Sequence, residues 1–83
     1  MVSKKIVVGV PGGLAVGIAR QMADLTEKHN CSAWFEYNGA DVNMGSLLNI
    51  VAMGITEGTE ITVCCSGDGE QAALAAYVKL LTK

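Results

Sequence analysis

Between Lys5 and Arg20 this sequence has no ionisable side chain and no hydroxyl. That gap excludes acid–base and nucleophilic chemistry over a stretch otherwise built like a binding turn. The chain has one histidine and one proline, and aromatics make up 5% of it. Its three cysteines include no CxxC spacing. Cys64 and Cys65 are adjacent, so on a strand they point to opposite faces and cannot grip one metal together. We expect no metal and no cofactor, and cysteines that serve as ordinary small residues in a reducing compartment. Six basic residues face eight acidic ones, a net charge of −2. No basic patch is visible, which argues against nucleic acid as a partner. No apolar run approaches the ~18 residues of a membrane span, and the stretch from Lys5 to Pro11 is too short for a signal-peptide core. The chain therefore reads as cytoplasmic.

What is present is a globular composition, with 51% apolar and 17% charged residues among 83. A chain of this length makes one domain and buries roughly 60–65% of its unfolded surface. The β-branched run from Ser3 to Val10 predicts a strand. Gly12 and Gly13 then lead into Leu14, Ile18, Met22 and Leu25, whose spacing predicts a helix over about 15–28 with one core stripe. Strand, glycine turn and helix entry together make the scaffold of an anion site, because a helix N-terminus offers unpaired N–H groups. It lacks the GK[ST] ending of a P-loop and the GxGxxG order of a dinucleotide turn. The turn therefore serves close packing, or binds a small anion weakly through bare N–H groups.

Cys31 to Tyr37 alternates, with Ala33, Phe35 and Tyr37 on one face. Asn38-Gly39 is a strong two-residue hairpin signal, and a return strand runs from Ala40 to Met44. Ser46 stands before Leu47–Met53 and Gly54, which predicts a short helix whose first N–H groups the serine hydroxyl caps. A third alternating run, Thr59 to Cys65, puts Ile61, Val63 and Cys65 inward. The last helix spans about 69–82 with Leu74, Tyr77, Val78 and Leu81 as its buried stripe. The only short strand-to-strand link is the Asn-Gly turn. The order βαββαβα is therefore satisfied by an α+β open-faced sandwich, an antiparallel four-stranded sheet with three helices on one face. The other sheet face would meet water. Trp34 falls on that face, where it covers its cross-strand neighbours or anchors a contact.

This order and length, with Gly13-Leu14, Asn38-Gly39, Ser46 to Gly54, Gly58-Thr59 and Asp68 to Ala73, resembles the HPr family, the small bacterial phosphocarriers of the sugar phosphotransferase system. The resemblance covers almost the whole chain. It implies a phosphoacceptor histidine at the first helix entry, an arginine two places on and a proline after that. Ala15, Gly17 and Ile18 occupy those places, so no residue here carries phosphate by the family's route. His29 is fourteen residues from Ala15, roughly 20 Å along a helix.

The resemblance further implies that Ser46 is a regulatory phosphorylation site in addition to a cap. Gly45 departs from the basic or amide residue usual before that serine. It implies a docking surface of Leu47, Leu48 and Val51 with Gly17, Arg20 and Gln21 on the first helix. Asp24 and Glu27 depart from the basic character that face usually has, which suggests a changed partner. The expected partners are proteins, among them a kinase acting on Ser46 and a transcription regulator or phosphotransferase-system enzyme. The implied function is a non-enzymatic regulatory module, as in the family's histidine-lacking type in carbon catabolite control. A phosphocarrier with a non-standard acceptor and a small-anion-binding module are the alternatives.

Overall fold

The structure is a computed structural model and describes residues 1–82. Its elements are β1 (Val2–Val7), α1 (Val16–Lys28), β2 (Cys31–Tyr37), β3 (Ala40–Asn43), α2 (Leu47–Ala52), β4 (Glu60–Gly67) and α3 (Glu70–Leu81). The strands form one antiparallel sheet in the order β1-β4-β2-β3. Asn38 and Gly39 both take positive φ, 52° and 82°, the pairing a two-residue turn with this twist requires. Tyr37 opposite Ala40 closes the hairpin.

Alternation places Ile61, Val63 and Cys65 of β4, Ala33 and Phe35 of β2, Val42 of β3 and Ile6 of β1 in one buried cluster under the helices. Met22 and Ala19 of α1, Ile50 of α2, and Ala73, Tyr77 and Leu81 of α3 complete it. Among the described residues no polar side chain is fully buried without a partner. The hydroxyl of Tyr77 meets that of Thr26 and donates to the Met22 carbonyl at 3.4 Å, which ties α3 to α1.

Four expectations need correction. β1 ends at Val7, because Val8 and Gly9 leave the ladder to donate to Thr59 and to Leu81, the last residue of α3. The α3 stripe is Ala73, Tyr77 and Leu81, while Leu74 and Val78 are half-buried. This helix is apolar nearly all round, so periodicity alone does not fix its facing side. The third correction is Ser46, whose hydroxyl makes no capping bond. Its φ of −102° and ψ of 88° put the side chain outside the capping geometry, and only its carbonyl joins α2, accepting from Ile50 N–H at 3.0 Å.

The fourth correction is the open sheet face, which is not uniformly wet. Cys64 points there yet is 1% exposed, in a row with Ser3 and the half-buried Trp34. Its thiol donates to Glu36 Oε2 at 3.5 Å. Trp34 thus covers its cross-strand neighbour.

Burial disfavours the anions of three groups. It pushes Cys64 up to about 11, helped by the Glu36 carboxylate, and Cys65 up to about 11, helped by Cys31. Tyr77 rises to about 12. In each case the native state holds its proton more tightly than the unfolded chain, so stability is full below the unfolded values of 9 to 10 and is lost as pH rises through the native ones. The urea midpoint should therefore fall between about pH 9 and pH 12. A flat midpoint over that window would contradict the burial of these groups.

Candidate functional site

The turn before α1 is fixed by one close approach. Gly13 has φ +67°, and a Cβ there would lie 2.3 Å from the Ile55 carbonyl oxygen. Leu14 N–H donates to that same oxygen at 3.0 Å, and Gly13 N–H donates to Val10 at 3.0 Å. Buried Leu14 and Ile55 sit on either side of the contact. The start of α1 is thereby pinned to the chain that follows α2, and the two helices pack against each other.

Ala15 is the N-cap of α1, with φ −77° and ψ 177°. It is exposed, and no side chain caps the helix behind it. The first-turn N–H groups therefore face outward with the positive end of the helix dipole, over a methyl group that can neither attack nor be protonated. Gly17 is exposed in the first turn, and a Cβ there would meet nothing within 4 Å. Packing does not demand glycine at this position.

The other expected site residues are spread around this end. Arg20 and Gln21 are both exposed on α1. Gln21 lines a groove of about 560 Å³ toward α3, with Asp24, Leu25, Lys28, Lys79 and Leu80, so it faces away from α2. Ser46 is half-buried at the N-cap of α2. Leu47 packs against the core, whereas Leu48 is 81% exposed and Val51 is 36% exposed. Ile50 takes the core position of this short helix. His29 follows α1 at its far end, where its N–H bonds the Leu25 carbonyl.

Val16, 56% exposed beside Ala15, is an apolar member of this surface that the sequence reading missed. Its signal was available, since the Leu14, Ile18, Met22 and Leu25 stripe puts position 16 on the opposite side of the helix. Among the described residues no cluster of His, Cys, Asp and Glu could hold a metal, and no helix is long and apolar enough to cross a membrane.

Residues 2–83 match the family model described as the PTS HPr component phosphorylation site. The chain belongs to the HPr family. The HPr-like protein Crh of Bacillus subtilis (strain 168) is 30% identical over 82 residues, covering 95% of this chain and 96% of Crh. A phosphocarrier HPr from Bacillus anthracis superposes with a TM-score of 0.92 at 25% identity, covering 98% of this chain and 96% of that one. A crystal structure of Bacillus subtilis Crh, described as a swapped, intertwined dimer, gives 0.72 at 29% identity, covering 100% and 99%. HPr-family proteins are carriers and regulators rather than enzymes, and they work by meeting phosphotransferase-system enzymes and regulators. The four-stranded sheet with its three helices is the architecture of the HPr structures.

Proposed function

We propose that this HPr-family chain is a protein-binding regulatory module that does not relay phosphoryl groups. The observation that carries this reading is Ala15, an exposed methyl at the uncapped entry of α1. Gly17 beside it supplies no guanidinium to hold a phosphoryl group. His29 lies beyond the opposite end of α1 and cannot stand in for the missing imidazole at this entry.

The docking surface combines exposed Leu48 and Val51 and half-buried Leu47 with Gly17 and Arg20 of α1, while Gln21, turned toward the α3 groove, lies outside it. Its partners are a kinase acting on Ser46 and a transcription regulator or phosphotransferase-system enzyme, in the cytoplasm. The acidic Asp24 and Glu27 on α1 select against strongly acidic partners. Ser46 supports a switch because no capping bond occupies its hydroxyl. A phosphate there would place about −1.5 to −2 charges at the α2 N-terminus, beside the apolar patch.

Incubation with HPr kinase and ATP should add one phosphoryl mass, located at Ser46 and lost in Ser46→Ala. Leu48→Arg should lower the efficiency of that reaction roughly tenfold, the scale of an interface anchor. An unmodified mass, with a control HPr modified alongside, would remove the switch.

A further inference from the structure

We propose that the α1–α3 face binds a second copy of this chain, in a four-helix contact joined by two reciprocal Asp24–Lys79 ion pairs. The surface is the groove of about 560 Å³ between the two helices. Its floor is apolar, formed by Leu25, Ala76 and Leu80, each half-buried. Its walls carry charge of both signs, Asp24 and Lys28 on α1 and Lys79 on α3, all exposed. Leu81, the end of α3, accepts from Gly9 N–H in the segment leading to α1, so the two helices run antiparallel. The Thr26 hydroxyl meets that of Tyr77 and marks one level shared by both helices. Both rise equally per residue, so Asp24, two residues before Thr26, stands level with Lys79, two residues after Tyr77. Yet the two form no ion pair across the groove.

This charge pattern selects the occupant. A partner helix of one charge sign satisfies only one wall. A second copy related by a twofold axis along the groove presents both signs. That axis sets each α1 antiparallel against the α3 of the other copy and keeps every level in place. Asp24 of each copy then meets Lys79 of the other, and the apolar floors of both grooves are covered together. The ion pairs lie at the rim of that floor, where they fix register and orientation more than strength.

The test is sedimentation equilibrium of the whole chain, from dilute solution up to about 1 mM, which detects even a millimolar association. A reversible dimer is expected. Asp24→Lys and Lys79→Asp should each weaken it at least about tenfold, because each sets like charges together twice. A mixture of the two single variants should pair again within about threefold of the original affinity, since both contacts are then attractive. The double variant, Asp24→Lys with Lys79→Asp, should do the same. Both side chains are exposed on helix surfaces, so the variants should fold, and circular dichroism checks this. A monomer at every concentration, a dimer indifferent to the charge reversals (as one formed by exchanging a strand would be), or no recovery in the mixture of folded variants would each overturn the proposal.

Discussion

Ala15→His combined with Gly17→Arg should make this chain accept a phosphoryl group from phosphoenolpyruvate through Enzyme I. The gain should be at least about a thousandfold over the unsubstituted chain, the scale on which removing a catalytic nucleophile acts. Both positions are exposed, and the space around Gly17 is open, so neither new side chain displaces a neighbour. The backbone is already arranged for the charge. The α1 entry is uncapped by any side chain, and the Gly13–Ile55 contact holds it in place. What the entry lacks is a nitrogen nucleophile and a cation beside it. Acid-labile label on the imidazole introduced by Ala15→His is the expected reading. A folded variant that stays unlabelled would show that the altered docking face, with Asp24 and Glu27, blocks transfer instead.

Gly13→Ala should destabilise the fold by roughly 3–5 kcal/mol, a large share of the 5–15 kcal/mol typical of a whole domain. The left-handed φ of +67° costs an L-residue about 1–2 kcal/mol. The larger part is steric. The new methyl would sit 2.3 Å from the Ile55 oxygen and 2.7 Å from the Thr56 Cα, both backbone atoms that no side-chain rotation can move. Relief requires the two segments to part, which also breaks the Leu14–Ile55 hydrogen bond, worth about 1 kcal/mol. Gly12→Ala is the control. Its φ of +82° carries the same conformational cost, but its surroundings are open. Thermal unfolding of the two variants separates the terms: Gly13→Ala should melt at least about 10 °C below Gly12→Ala. Equal melting points would contradict the close approach that pins the α1 entry.

Most of this architecture could be read from residue order. The Asn38-Gly39 turn and the alternation of β2 and β4 each obey a local rule that survives into the fold, while α1 keeps Met22 of its expected stripe in the core, adds Ala19 and leaves Ile18 and Leu25 half-buried. Leu48 and Val51, which the family resemblance put on the surface, are exposed, and Ile50 takes the core place of α2. The failures came where tertiary contacts decide. Ser46 has a capping residue type in a capping place, yet its backbone angles deny the hydroxyl the bond. The facing side of α3 was set by how small Ala73 and large Tyr77 fit the sheet, in a helix with apolar residues on every side. Cys64 looked solvent-facing by alternation, but Trp34 shields it from the next strand. Gly13 could be identified as a turn residue, while its contact with Ile55 crosses a separation no local pattern spans.

For the central claim, the most direct measurement is the labelling of the unsubstituted chain with isotopic phosphoenolpyruvate and Enzyme I, beside an authentic HPr. The account predicts label on the control and none on this chain at any time point. Acid-labile label on this chain, at His29 or elsewhere, would contradict it.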